Sequence, residues 1–191
     1  EEVFARGHIH PNKITCLISP CSSQRYGDQY NRSWSINNFA ELIKNLINLE
    51  NLQIIMTGGN SPTEQLYSKE LDALFGNKIL NLIGKTSIRE MAALIKHSDF
   101  IISPDSGPAH IATIMGKPVI GLYAMSNPKR SGPYNSDEWL INKYDQALKV
   151  FMDKSPTEVK FGQKIKQPEA MDLIETRDVI EKVERLIKHQ S

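Results

Sequence analysis

Cysteine, aromatic rings, long apolar runs and an excess of charge of either sign are all scarce in this 191-residue chain. The two cysteines, Cys16 and Cys21, are not a C-x-x-C pair. They cannot build a disulfide framework or complete a tetrahedral zinc site, and they read as reduced cytosolic thiols. Lys and Arg total 23 against 22 Asp and Glu, a net charge of +1. That balance argues against a dedicated nucleic-acid binder, which carries a basic excess or stripe. No apolar run approaches the roughly 20 residues of a membrane-spanning helix. The start, Glu1-Glu2-Val3-Phe4-Ala5-Arg6, has no basic segment followed by an apolar one, so no signal peptide is expected. Nor does the chain begin with Met, which points to a processed, tagged or excised fragment. The histidines, at 8, 10, 97, 110 and 189, include no pair at a helical ligand spacing, so no metal site is expected. No G-x-G-x-x-G follows the first strand. Gly84-Lys85-Thr86 lacks the upstream glycine of a phosphate loop, because Ile79 stands there.

What the sequence does have is an ordinary globular composition, 40% hydrophobic and 24% charged. A chain this long buries about 70% of its unfolded surface in one domain, enough for a core without cross-links. Short β-rich runs alternate with longer amphipathic ones, the pattern of an α/β domain with a parallel sheet. Strands are expected at Ile14–Ser19, Leu52–Met56, Ile79–Ile83, Asp99–Ser103 and Pro118–Tyr123, with a sixth at Ala147–Met152. Helices are expected after Ser35, after Ser61-Pro62-Thr63-Glu64, after Ser87 with Glu90, through His110 to Met115, and from Arg177 to His189. Ser61/Glu64 and Ser87/Glu90 read as capping boxes. Residues 153–168, polar and lysine-rich, read as a surface loop, and residues 1–13 as a linker remnant ahead of a domain over 14–191. In a doubly wound sheet, ligands bind beyond the C-terminal strand ends near the reversal of strand order. The loops after the strands are therefore where function is sought.

Ser103-Pro104-Asp105-Ser106-Gly107-Pro108-Ala109-His110 is the richest segment. A strand stops, Gly107 permits close backbone approach, and a helix begins with free N–H donors that suit an anion such as pyrophosphate. The alternative is that Asp105 or Ser106 merely caps the helix and His110 packs beneath it. Arg25 and Arg32, with Ser22 and Ser23, lie in the polar loop after the first strand. They either grip a diphosphate or stand in solvent. Trp34 is expected to anchor that loop by packing. Glu64 either completes its capping box or accepts from ribose hydroxyls. Lys129 and Arg130, in a loop stiffened by Pro128, Gly132 and Pro133, face an anionic ligand or water.

The run from Asp105 to Ala112, then Gly116-Lys117-Pro118-Val119-Ile120-Gly121-Leu122-Tyr123, then Pro128 and Gly132-Pro133-Tyr134, resembles family 9 glycosyltransferases, the lipopolysaccharide heptosyltransferases. Gly84-Lys85-Thr86-Ser87-Ile88, Ser22-Ser23-x-Arg25, Arg32-x-Trp34 and Ala170-Met171-Asp172-Leu173-Ile174 extend the likeness over residues 14–189. The resemblance implies a Rossmann-like doubly wound α/β sheet, the C-terminal half of a two-domain GT-B enzyme. It implies a nucleotide-sugar donor, ADP-heptose, no cofactor and no metal. A lipid-linked acceptor would be bound by an absent N-terminal domain that also supplies the catalytic base, so no catalytic residue is assigned in this chain. Carried over residue by residue, Ser22, Ser23 and Arg32 would meet the diphosphate. Asp105, Ser106 and Gly107 would cradle it, with His110 just behind, while Glu64 would hold the ribose and Thr86 the base. Arg32 stands where the family often has lysine. The implied chemistry is transfer with inversion onto a lipopolysaccharide inner-core acceptor. The implied location is the cytoplasm, at the inner face of a Gram-negative inner membrane. Another GT-B nucleotide-sugar enzyme and a non-catalytic nucleotide-binding module remain the competing readings.

Overall fold

The structure, a computed structural model, describes residues 1–22 and 31–190. The chain runs α1 (Glu2–His8), β1 (Ile14–Ile18), α2 (Ile36–Leu46), β2 (Leu52–Met56), α3 (Pro62–Phe75), β3 (Leu80–Asn81), α4 (Ile88–His97), β4 (Phe100–Pro104), α5 (Gly107–Ile114), β5 (Val119–Tyr123), α6 (Pro128–Ser131), β6 (Ile141–Asn142), α7 (Tyr144–Met152) and α8 (Thr176–Gln190). Short 3-10 turns at Gly76–Lys78, Asp137–Trp139, Pro156–Glu158 and Pro168–Leu173 fill the connections. The six strands form one sheet in the order β3-β2-β1-β4-β5-β6, every pair parallel. This is the Rossmann-like, doubly wound α/β architecture that the alternation of runs predicts.

Both faces of the sheet are covered, and the strands show it residue by residue. Cys16, Ile18, Met56, Phe100, Ile102 and Leu122 face one core, with α2, α3, α7 and α8. Leu17, Ile55, Ile101 and Val119 face the other, with α1, α4 and α5. Strands buried on both sides read as continuous apolar runs, not alternating ones, which is why they stand out in the sequence. Trp34 is fully buried. Its Nε1 donates to the Ile174 carbonyl at 3.1 Å, and its own carbonyl accepts from the Tyr67 hydroxyl at 2.6 Å. It thus ties the end of the β1 loop to α3 and to the segment before α8, as expected of an anchor.

Two expectations need correction. Residues 147–152 are not a strand but part of α7, and the sixth strand is the pair Ile141–Asn142 beside β5. Tyr144, Ala147 and Leu148 recur at helical spacing and are the residues α7 buries, whereas Val150 is exposed. The run 153–168 is not simply a surface loop either. Ile165 is buried in the core, its N–H donates to the Met125 carbonyl at 2.9 Å, and the Tyr144 hydroxyl donates to the Gln163 carbonyl at 2.7 Å. Near the start, residues 2–8 form α1, which packs against α4 with Ala5 fully buried.

Candidate functional site

The reversal of strand order lies between β1 and β4. Chains leaving their C-terminal ends diverge and leave a crevice. The segment after β4 lies in that crevice, and α5 begins there.

The start of α5 differs from that of other helices opening on a serine or asparagine. Ser35 caps α2, Ser61 caps α3, Ser87 caps α4 and Asn127 caps α6, each accepting from a first-turn backbone N–H. Ser106 occupies the same position on α5 and makes no side-chain cap. Its hydroxyl is turned away to Ser103 Oγ, 2.6 Å distant. The amides of Gly107 and Ala109 belong to the first turn, where no intrahelical acceptor exists, and Pro108 between them has no N–H. The helix therefore begins with open donors and the positive end of its dipole. Of the alternatives raised by the sequence, capping by Ser106 is ruled out.

Two cavities meet at Ser106. The first, about 450 Å³, runs under the loops after β1, β4 and β5 and is lined by Arg32, Asp105, Gly107, His110, Arg130 and Ser131 among others. The second, also about 450 Å³, runs toward the loops after β2 and β3, where Glu64, Thr86, Ile88, Met91 and Pro108 face it. His110 is exposed on the wall of the first, not packed beneath α5.

Inside the first cavity Asp105 is a node. Its Oδ2 accepts from Arg32 Nη1 at 3.4 Å and from Ser131 Oγ at 3.1 Å, and its Oδ1 lies 4.0 Å from His110 Nε2. The Arg32 and Asp105 side chains are only 12% and 13% exposed. The Tyr123 hydroxyl donates to the Ser131 carbonyl at 3.2 Å and so fixes α6 against β5. Ser22 stands behind Arg32, with its hydroxyl accepting from the Arg32 N–H at 3.1 Å. Ser23 and Arg25 lie outside the described residues.

In the second cavity the Glu64 carboxylate accepts from Gly59 N–H at 2.5 Å, Ser61 N–H at 2.9 Å and Ser61 Oγ at 2.6 Å. The capping box is thus real and extended by one bond to the end of β2. A Cβ at Gly59 would sit 2.9 Å from Glu64 Oε2, so the close approach depends on glycine there. An ionised carboxylate offers about four lone-pair sites. Three are taken by these bonds. Burial pushes the Cys21 thiol, on the floor of this cavity, up to about 12. It therefore stays a neutral, unreactive thiol near neutral pH.

Of the two readings of Arg130, ligand or water, the structure puts it on the wall of the first cavity, reaching it from α6. The sequence alone misses Gly162-Gln163-Lys164, which reach the same cavity from within residues 153–168. The available signals are the Phe161-Gly162 step and the apolar Ile165 inside an otherwise polar stretch. Among the described residues, no cluster of His, Cys, Asp and Glu is placed to hold a metal, and no helix is long and apolar enough to cross a membrane.

Residues 4–159 match the family model for glycosyltransferase family 9 (heptosyltransferase). The chain is 35% identical over 183 residues to the lipopolysaccharide core heptosyltransferase OpsX of Haemophilus influenzae, covering 96% of this chain and 51% of that protein. It therefore spans about half the length of that relative. In fold it is similar to the glycosyl transferase family 9 structure from Veillonella parvula, with a TM-score of 0.71 and 20% identity over 98% of this chain and 50% of that one. It is likewise similar to the E. coli ADP-heptose lps heptosyltransferase II, with a TM-score of 0.69 and 19% identity over all of this chain and 52% of that one.

Proposed function

Because the chain belongs to glycosyltransferase family 9, the heptosyltransferases, we propose that it is the donor-binding half of an inverting enzyme. That enzyme transfers heptose from ADP-heptose to a lipopolysaccharide inner-core acceptor. The observation that carries the reading is the uncapped N-terminus of α5 at the junction of the two cavities. A diphosphate there would accept from the Gly107 and Ala109 amides and meet the Arg32 guanidinium. The nucleoside would extend into the second cavity. There Glu64 would accept from a ribose hydroxyl, and Thr86, with Ile88 and Met91, would border the base. The sugar would point into the first cavity.

Asp105 contributes differently from a phosphate ligand. A carboxylate repels a diphosphate, and this one is already engaged by Arg32 and Ser131. Its side chain holds Arg32 in place, while its backbone starts the cradle. Ser22 acts one step further back, through the Arg32 backbone. His110 stands on the wall of the sugar cavity, and Ser23 keeps the role implied by the resemblance.

In this scheme a base in an N-terminal half deprotonates the acceptor hydroxyl. The resulting oxygen attacks the anomeric carbon from the face opposite the diphosphate, the carbon–oxygen bond to phosphate breaks, and ADP leaves. Negative charge grows on the leaving oxygen, where in this scheme the α5 amides and Arg32 would meet it. Donors preorganised at that point account for much of such catalysis. The scheme uses no cofactor and no metal, and it places the enzyme in the cytoplasm against the inner face of a Gram-negative inner membrane.

Calorimetric titration of the full-length protein with ADP, UDP and GDP tests this. ADP is expected to bind best. Arg32→Ala should weaken it about tenfold, the scale of one charge-assisted hydrogen bond. Ser106→Asp should weaken it at least as much, because its carboxylate would take the α5 amides and repel phosphate. ADP binding indifferent to both changes would place the diphosphate elsewhere.

A further inference from the structure

Arg130 takes no part in capping α6, which Asn127 does. It sits on α6, its side chain lines the first cavity, and among the described residues no ion pair or hydrogen bond engages its guanidinium. What it does touch is Gly162. A Cβ built on Gly162 would lie 2.9 Å from Arg130 Nη1, 3.0 Å from Cζ and 3.2 Å from Nε. Those distances span the guanidinium plane, so the group lies across the bare Cα.

Backbone geometry does not demand glycine at this position. Among the described residues, the glycines with positive φ are Gly76, Gly84 and Gly116, and Gly162 is not one of them. The space where its side chain would stand is the space the guanidinium fills. The seat is also fixed to the element that carries the arginine. Asn127, the cap of α6, donates through Nδ2 to the Phe161 carbonyl at 3.4 Å, and the Ile165 N–H donates to the Met125 carbonyl at 2.9 Å. Gly162 thus lies between two anchors to the β5–α6 loop.

Along the C-terminal edge of the sheet, Arg32 comes from the loop after β1 and Arg130 from the loop after β5, with α5 leaving β4 between them. Both guanidiniums line the first cavity, as does the uncapped helix start. One is neutralised in part by Asp105, and the other is not. We infer that Arg130, seated on Gly162, is a second cationic ligand for the donor, reaching the terminal phosphate in the first cavity from the loop after β5. The inference rests on the diphosphate reading above. A planar fork of N–H donors held flat suits two oxygens of one phosphate.

The test is binding of ADP and AMP to the full-length protein and to Arg130→Ala, Gly162→Ala and the double variant. Gly162→Ala meets only the end of a flexible side chain, so the fold should survive while the guanidinium is displaced. Both single changes should weaken ADP about five- to tenfold. The double variant should be no weaker than Arg130→Ala, and AMP, which lacks the terminal phosphate, should hardly respond. ADP affinity unchanged by Arg130→Ala would overturn the inference. So would a Gly162→Ala effect that persists once Arg130 is gone. Arg32→Ala serves as the separating arm. If it weakens ADP and Arg130→Ala does not, only this inference falls; if neither change matters, the diphosphate reading falls with it.

Discussion

Asp105 is the residue on which the cavity's electrostatics turn. It is nearly buried, it pairs with Arg32, and it takes a second bond from Ser131. Removing one member of such a pair strands the other charge in a poorly solvated place. Asp105→Ala should therefore cost about 3 kcal/mol of stability, the low end of the range for breaking a buried pair. The double variant Arg32→Met/Asp105→Leu should recover most of that loss. Urea unfolding of the three proteins checks it, and a loss below about 0.5 kcal/mol for Asp105→Ala would show that the pair carries little. The sequence places Asp105 beside the helix start because both lie in one short segment. It does not show that Arg32, 73 positions earlier, is Asp105's partner. A partner brought in by tertiary folding leaves no mark in local spacing.

Among the elements, the capping boxes were legible and α7 was not, for a common reason. Ser61/Glu64 and Ser87/Glu90 are short-range patterns whose hydrogen bonds close within one helical turn, and both form as read. The run Ala147-Leu148-Lys149-Val150-Phe151-Met152 suits either a strand or a helix. Only the burial of Tyr144, Ala147 and Leu148 together settles it. Likewise the segment around Gly162 looks polar because what it packs on, α6 and the β5 loop, lies far off in sequence. The two boxes also permit a direct comparison. Glu64→Ala and Glu90→Ala both remove the carboxylate of a capping box, so both should lower stability, Glu64→Ala by about 1 kcal/mol. In a domain of this size that is about 2–4 °C in Tm. Glu64 lines the second cavity and Glu90 does not, so only Glu64→Ala should also weaken ADP. Equal effects of both changes on ADP affinity would remove Glu64 from the ribose site.

At the scale of the whole molecule, the strand order gathers residues from β1, β2, β3, β4 and β5 at one edge of the sheet. Two cavities there join at Ser106, the one serine among the helix starts compared above that leaves its helix uncapped. Serine capping holds at α2, α3 and α4 and lapses at that point, where sequence rules are expected to yield to function. The measurement that reaches the central claim most directly is amide NMR of the 15N-labelled protein titrated with ADP and, separately, with adenosine. The account predicts that the Gly107 and Ala109 amides shift on adding ADP and stay in place with adenosine, which lacks the phosphates. If both amides keep their positions while ADP binds, the start of α5 is not where the diphosphate sits.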